Sequence, residues 1–360
     1  MIQLTRRAAL AAGASALALP TIASAQSAAQ IAAAKKDGRL NVIALPPDWA
    51  NYGEIISTFE KKYGVKVHSA APDDSSAQEL QAIRSLKGQT RGPDTVDVGP
   101  TFAISGVKEG LWQPYKVATW ASIPANMKEA NGLWYGDYFG IISLGVNRSV
   151  VKNPPKSWAD LLKPEYKGMV ALNGSPAGAA AAFSGVYAAA LGNGGSLDNI
   201  EPGIEFFGKL AKVGNFNPAS ATPASLQSGT TPIVLNWDYL NLAQAQKSVG
   251  KVQIDTVLPA GAQPLGAFYC QAISKYAPNP ASAKLWMEFL YSDEGQLLFL
   301  KGFAHPARFA DLAKRNAIPA ALAKALPPSA PYAAAAFPTA AQQDKAKNVI
   351  TANWSKIVKV

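Results

Sequence analysis

Two short segments pair an acidic side chain with a tryptophan, and this pairing suits a positively charged ligand. Trp237-Asp238-Tyr239 follows one apolar run of the chain and Asp48-Trp49 follows another. The face of an indole ring attracts cations, and a neighbouring carboxylate can pair with an ammonium group. The segments therefore predict recognition of an amine or a cationic ring. The alternative is structural, with Asp238 capping a helix beside a core tryptophan.

Two other segments favour an anion instead. Ser75 and Ser76 open one predicted helix, and Ser175 to Gly178 open another. Helix N-termini with small residues and free N–H groups bind carboxylate or phosphate. A zwitterion such as an aminoalkyl phosphonate would use both kinds of group. We favour the cationic ligand because serines are common helix caps, whereas Trp–Asp pairs are less generic.

Three further residues complete the set of candidates. Asn51 lies beside Asp48, Thr101 follows a predicted strand, and Tyr138 lies in a long extended segment. Each has a structural alternative, because Asp48 or Asn51 could cap a helix and Tyr138 could pack in the core.

Composition argues against metal, thiol and enzymatic chemistry. The chain has a single cysteine, Cys270, and two histidines, His68 and His305. One cysteine cannot form an intramolecular disulfide, and the set is too small for a typical zinc site. Ser105 to Lys108 fit the S-x-x-K pattern of serine enzymes, but no S-D-N or K-T-G element accompanies them. The sequence therefore predicts a binding protein with no cofactor.

The formal charge of +10 does not indicate a nucleic-acid partner. Lysines and arginines are scattered along the chain and are often adjacent to acids. A nucleic-acid interface concentrates them in a patch or stripe. We expect a solvated basic surface and no binding of nucleic acid.

Residues 1–25 read as an export signal. Arg6 and Arg7 precede an Ala- and Leu-rich stretch, and Ala23-Ser24-Ala25 supplies a cleavage pattern. The twin arginines resemble those of a Tat signal, with an ordinary Sec signal as the alternative. No cysteine lies near Ala25, which excludes a lipoprotein anchor. The predicted location is the periplasm.

Short β-rich runs alternate with amphipathic helical stretches, as in an α/β protein with largely parallel sheets. Apolar and aromatic residues alternate over 134–147 and predict an extended segment that crosses between two groups of strands. In open α/β sheets, ligands bind beyond the carboxyl ends of the strands. The candidate residues lie mostly at such ends. Predicted strands occupy residues 40–45, 65–70, 95–98, 169–172, 233–236, 252–258 and 267–273.

Three segments resemble the periplasmic solute-binding proteins of ABC importers. The most specific is residues 272–308, AISKYAPNPASAKLWMEFLYSDEGQLLFLKGFAHPAR. PKSWADLLKPEYKGMVAL (155–172) and SGTTPIVLNWDYL (228–240) are similar to further blocks of that family, in the same order. The resemblance covers roughly residues 38–310 and is closest to members that bind ferric ion, thiamine, polyamines, sugar phosphates or phosphonates.

The resemblance implies a two-lobed Venus-flytrap fold of type II with crossing hinge strands. Residues 26–143 and 264–308 would form the N-terminal lobe, residues 144–263 the C-terminal lobe, and residues 309–360 helices that pack on both. It implies a monomer that captures a small-molecule solute and delivers it to an ABC permease in the inner membrane. Polyamine binders of the family have a tryptophan at the position resembling Trp237. Ferric binders tend to have adjacent tyrosines where this chain offers only Tyr239. The predicted ligand is polyamine- or thiamine-like, and the alternatives are a phosphonate, a sugar phosphate or ferric ion.

Overall fold

A computed structural model describes residues 27–359, so the predicted export signal lies outside the described residues. The chain alternates strands and helices as the sequence predicts. In chain order these are α1 (Ala28–Asp37), β1 (Arg39–Ile43), α2 (Tyr52–Tyr63), β2 (Lys66–Ala70), α3 (Ser76–Ser85), β3 (Thr95–Val98), α4 (Pro100–Lys108), β4 (Trp112–Gln113), β5 (Tyr135–Asn147), β6 (Val170–Leu172), α5 (Ala180–Leu191), α6 (Glu201–Lys212), α7 (Pro223–Ser228), β7 (Ile233–Trp237), α8 (Asp238–Lys247), β8 (Ile254–Val257), β9 (Gly266–Ser274), α9 (Pro280–Leu290), α10 (Asp293–Lys301), β10 (His305–Pro306), α11 (Phe309–Lys314), α12 (Ala320–Ala325), α13 (Ala330–Ala333) and α14 (Ala340–Ile357).

The helices of the first lobe follow local sequence signals. In α2 the apolar face buries Ile55, Phe59 and Tyr63, and the helix ends at Gly64, whose φ of 69° suits glycine. Helix α3 is capped by Ser75, whose backbone N–H donates to Gln78 Oε1 at 2.9 Å. The spacing of Ser76 and Glu79 also fits a capping box, but Ser76 already lies in the first turn of α3 and Ser75 is the cap. Glu79 is therefore free to point into the lobe.

The sheets are mixed, which corrects the expectation of largely parallel pairing. Strand β1 pairs with β2, and β6 with β7, in parallel. The central strand β5 is antiparallel to β7, β8 and β9, and β3 is antiparallel to β9. The pairing is antiparallel at the centre because β5 and β9 run between the two lobes in opposite directions.

Strands β5 and β9 connect the lobes. Strand β5 pairs with β9 as far as Ile141, which lies opposite Gly266, and with β7 from Ile142 onward. The Ile142 N–H donates to the Leu265 carbonyl at 3.0 Å where the pairing changes. One continuous strand thus belongs to the sheets of both lobes.

The C-terminal segment contacts both lobes. Ala336 bridges Leu265 beside the crossing strands. In α14, Asp344 Oδ2 lies 3.0 Å from Lys108 Nζ of α4. Farther along the same helix, the Trp354 ring packs against Phe207 of α6, with centroids 5.4 Å apart. Helix α14 therefore spans the boundary between the lobes.

Candidate ligand-binding cleft

A cavity of about 970 Å³ lies between the two lobes. Its walls come from loops and helix starts that follow β1, β2 and β6, and from α7 and α8. This is where sheets of this kind place their ligands. The volume is at the upper end of the range of cavities that bind small molecules.

The lobes touch each other around this cavity. The Ala77 N–H of the first lobe donates to the Gly178 carbonyl of the second at 3.4 Å. Lys247 of α8 forms an ion pair with Asp48, which follows β1. The lobes therefore meet at the edges of the cavity in a closed arrangement.

Half of the sequence-predicted site residues line the cavity. They come from both lobes, as the crossing topology requires, and are Asp48, Trp49, Ser75, Ser76, Ser175 and Gly178. The structure thus brings the Asp48-Trp49 pair together with the two segments that were predicted to begin helices. Some backbone N–H groups at these two helix starts already donate hydrogen bonds within the protein. The Ala77 N–H donates to the Gly178 carbonyl, and the N–H groups of Gly178 and Ala179 donate to the Ser175 carbonyl.

The other pair, Trp237 and Asp238, does not line the cavity. Trp237 is 1% exposed, and its Nε1–H donates to the Tyr269 hydroxyl at 3.4 Å. The Asp238 carboxylate accepts the Ile141 N–H at 2.9 Å and a hydrogen bond from the Tyr332 hydroxyl. Tyr239 stacks on the Trp237 ring within the core. The structure thus places Trp237-Asp238-Tyr239 behind the cavity wall, where it joins α8 to the crossing strand.

Asn51, Thr101 and Tyr138 also lie outside the lining. Asn51 precedes α2 and donates to the Leu298 carbonyl at 2.9 Å. Thr101 is buried in the first turn of α4, where its carbonyl accepts a hydrogen bond from Ser105. Tyr138 is fully buried beneath Trp49, whose Nε1–H donates to the Tyr138 hydroxyl at 2.6 Å. These residues support the residues around them.

An aromatic cluster lies beneath Trp49. The Trp49 ring packs edge-on against Tyr269 and Tyr239, with centroids 5.4 Å and 6.2 Å apart. Tyr269 lines the cavity and stacks on Tyr138 at 5.7 Å. The indole is therefore held rigidly, with its polar N–H satisfied from below.

Three buried carboxyl groups form a continuous hydrogen-bonded group, the carboxyl cluster of Glu79, Asp97 and Asp137. Glu79 Oε2 accepts the Asp97 N–H at 3.1 Å. The Tyr52 hydroxyl lies 3.0 Å from Asp97 Oδ2 and 3.2 Å from Asp137 Oδ2, so it links the two aspartates. Glu79 and Asp97 line the cavity, whereas Asp137 lies behind them.

The oxygens of Asp97 differ in their surroundings. Oδ2 accepts hydrogen bonds from the hydroxyls of Tyr52 and Tyr138, the latter at 2.7 Å. Oδ1 is buried and has no hydrogen-bond partner within residues 27–359. A buried carboxylate oxygen without a partner is costly, because burial removes its hydration.

Burial and like charge favour the protonated forms of the carboxyl cluster. Burial raises the pKa of Asp97 well above its usual range, and the charge of Asp137 raises it further. Burial also raises the pKa of Glu79 well above its usual range, with Asp97 adding to the effect. Burial raises the pKa of Asp137 to about 7, against hydrogen bonds from Gln271 and others that lower it. None of the ion pairs formed within residues 27–359 includes a member of the cluster.

The sequence analysis missed Glu79, Asp97 and Tyr269. Asp97 carried a usable signal, because a carboxylate inside the four-residue apolar strand β3 is rare unless it is functional or paired. Glu79 was hidden by its apparent capping role. Tyr269 had no signal of its own, since aromatic residues are common in buried strands.

The described part of the chain offers neither a metal-ligand cluster nor a membrane-spanning helix. Residues 27–359 contain no group of three or more His, Cys, Asp or Glu side chains placed to hold a metal ion. Over the same range, no helix has the length and apolar character needed to cross a bilayer.

The chain is similar in sequence to two proteins named as periplasmic binding proteins. Over 151 residues the chain is 30% identical to a probable ABC transporter periplasmic-binding protein of Sinorhizobium fredii, an alignment that spans 41% of this chain and 42% of that relative. Over 252 residues it is 28% identical to a putative 2-aminoethylphosphonate-binding periplasmic protein of Salmonella typhimurium, with 68% and 70% of the two chains covered.

Similarity to solved structures establishes the fold. The periplasmic binding protein AfuA from Actinobacillus pleuropneumoniae, with fructose-6-phosphate bound, matches with a TM-score of 0.69 at 18% identity. The match covers 90% of this chain and 99% of AfuA. The expected two-lobed α/β fold of periplasmic binding proteins is confirmed. Residues 94–341 match the family described as bacterial extracellular solute-binding proteins. The chain belongs to this family, as its sequence blocks predicted.

Proposed function

We propose that the protein is the periplasmic substrate-binding component of an ABC importer, which captures a small solute and delivers it to a membrane permease. The observation that carries this proposal is the cavity enclosed between two lobes that share the strands β5 and β9. Membership of the solute-binding family supports it, as do relatives named for ABC transport and for periplasmic binding. In this proposal the lobes rotate about the crossing strands to open and close the cavity.

The ligand in this proposal carries at least one positive charge, on an ammonium group or on a cationic ring. The charged residues that line the cavity are predominantly acidic: Asp48, Asp73, Asp74, Glu79 and Asp97, against the single base Lys247. Lys247 is paired with Asp48 and offers little charge to a ligand. Trp49 supplies an aromatic surface next to these acids, which suits a cation. Polyamines and thiamine-like compounds fit this chemistry.

A zwitterion is the second candidate, favoured by the relative named for 2-aminoethylphosphonate. Its amine would use the same acids, and its anionic end would approach the openings of α3 and α5. Two observations weigh against strong anion binding. Asp73 and Asp74 immediately precede α3, and none of the residues that line the cavity is an arginine.

Calorimetric titration with matched ligands tests the ligand class. Putrescine, spermidine, thiamine and 2-aminoethylphosphonate are compared with analogues that lack the positive charge, 1,4-butanediol for putrescine and ethylphosphonate for 2-aminoethylphosphonate. We expect binding by the positively charged compounds alone, and a bound compound should raise the free energy of unfolding by about 2.7 kcal/mol when its concentration is 100 times its Kd. Equal binding of ethylphosphonate and 2-aminoethylphosphonate would contradict the role of the ammonium group.

A further inference from the structure

The carboxyl cluster has an unusual charge balance for a protein interior. Glu79 is 1% exposed, Asp97 5% and Asp137 0%, and hydrogen bonds join them with no basic partner among residues 27–359. Buried carboxylates are normally paired with a cation or kept protonated. Among residues 27–359, the ionisable side chains that donate hydrogen bonds to this cluster are Tyr52 and Tyr138, through their hydroxyls.

The groups that act electrostatically on Asp97 and its neighbours are likewise acids, phenols or a thiol. Asp74 faces Glu79 from the start of α3. Around the two aspartates are Tyr239 of α8, Tyr269 and Cys270 of β9, and Tyr291 after α9. None of these side chains carries a positive charge. A cation that balances the cluster therefore has no source among residues 27–359, and Glu79 and Asp97 both line the cavity.

We propose that Glu79 and Asp97 form the subsite for the ligand's ammonium group, and that the bound cation replaces a proton held by the carboxyl cluster. This inference rests on the proposed function. A carboxylic acid of the cluster loses its proton to the buffer, and the carboxylate that forms pairs with the ammonium group. Asp97 Oδ1, which lacks a partner, becomes the acceptor of an ammonium N–H. The net charge of the site is the same before and after this exchange.

The exchange predicts a definite pH dependence. A cation next to a carboxyl group favours its ionised form, so ligand binding lowers the pKa of the cluster and releases protons. Affinity for an amine then falls as pH falls through the range in which the empty cluster becomes protonated. If one proton is released per ligand, the Kd rises about tenfold for each unit of pH lost.

Calorimetry of the wild-type protein measures the exchange directly. Putrescine is titrated at pH 7 in phosphate and in MOPS, two buffers with different enthalpies of ionisation and no primary ammonium group. We expect the observed binding enthalpy to differ between the buffers by an amount corresponding to release of up to about one proton. This measurement needs no variant, so it does not depend on how a substitution affects folding.

Isosteric variants identify the groups that hold the proton. Asp97→Asn and Glu79→Gln each remove one carboxylate, and we expect putrescine affinity to fall at least about tenfold, with a smaller dependence on buffer. Glu201→Gln removes an exposed carboxylate in the first turn of α6 that is not part of the cavity lining, and it should bind as the wild type does. Far-ultraviolet circular dichroism checks that each variant is folded.

The outcomes separate the inference from the proposed function. If no amine binds the wild-type protein, the proposed ligand class is wrong. If amines bind with no buffer dependence, and Asp97→Asn and Glu79→Gln bind as tightly as Glu201→Gln, the subsite is elsewhere and the inference is overturned while the proposed function stands. Buffer-dependent binding that either variant weakens supports both.

Discussion

At the scale of single residues, two titratable side chains contact Tyr332 and respond to pH in opposite directions. Burial lowers the pKa of His305 to about 4, and the His305 ring lies 3.9 Å from that of Tyr332. Burial raises the pKa of Asp238 to about 6, although the Tyr332 hydroxyl and backbone N–H groups lower it. Neutral forms of both groups are favoured in the folded protein.

The signs follow from linkage. Below pH 6.5 His305 is protonated in the unfolded chain but stays neutral in the folded protein. Its contribution to the free energy of unfolding is therefore lost as pH falls towards 4. Asp238 binds its proton more tightly when folded, so its contribution is present at low pH and lost as pH rises from 3.8 towards 6. The two effects largely cancel in the wild-type protein.

Substitutions at His305 and Asp238 separate the two effects of pH on stability. Relative to wild type, His305→Phe should gain up to about 3 kcal/mol of unfolding free energy as pH falls from 7 to 4, on top of a pH-independent packing offset. Asp238→Asn should instead gain relative to wild type as pH rises over the same range. Urea unfolding at several pH values measures both. Parallel stability profiles for wild type and His305→Phe would show that His305 titrates normally.

At the scale of elements, the crossing strand β5 needs glycine where α8 lies against it. A Cβ on Gly140 would lie 2.6 Å from Tyr239 Cδ1 and 2.7 Å from Asp238 Oδ1. Neither side chain can retreat, because Tyr239 is stacked on Trp237 and Asp238 is bonded to Ile141. The Trp237-Asp238-Tyr239 segment therefore fixes α8 to the strand shared by the lobes.

Gly140→Ala should lower the unfolding free energy by about 1–3 kcal/mol, the usual cost of overpacking. Gly178→Ala is the control, because a Cβ on Gly178 would lie 4.0 Å from the Ala77 Cβ, at an ordinary van der Waals distance. Thermal and urea unfolding of the two variants provide the comparison. Equal stability of Gly140→Ala and wild type would mean that α8 is not held tightly against β5.

At the scale of the whole molecule, the closed arrangement depends on small residues where the lobes meet. A Cβ on Gly99 of the first lobe would lie 2.6 Å from the Ala180 Cβ of the second. Gly99 does not line the cavity, so its effect on a ligand would act through the approach of the lobes. Its φ of −62° suits alanine, so backbone strain does not complicate the substitution.

Gly99→Ala should hold the lobes apart and weaken putrescine binding about 5- to 150-fold, the equivalent of about 1–3 kcal/mol. The complementary double variant Gly99→Ala/Ala180→Gly should restore affinity, because it moves the methyl group from one lobe to the other. Small-angle scattering should show a ligand-induced decrease in radius of gyration for wild type and the double variant. If Gly99→Ala closes and binds like wild type, the two lobes do not meet as described.

Much of the fold was predictable because its signals are local. Strand β3 occupies the predicted residues 95–98, Thr222 caps α7 ahead of Pro223, and β5 extends over the predicted crossing segment. Periodicity and capping depend on neighbours a few residues away. The antiparallel pairing of β5 with β9 was not predictable, because it joins segments far apart in the chain.

The sequence by itself determined the solute-binding family, the two-lobed α/β fold and the candidate segments at the strand ends. Only the tertiary structure decided which side chains reach the cavity. Trp237 and Asp238 resemble a cation site in sequence but face the core, whereas Glu79 and Asp97, which resemble a cap and a strand residue, line the cavity. The physical reason is that the direction in which a side chain points depends on strand register and on its hydrogen-bond partners. For Asp97 these partners include Tyr52, which also bonds Asp137, and distant parts of the chain supply them.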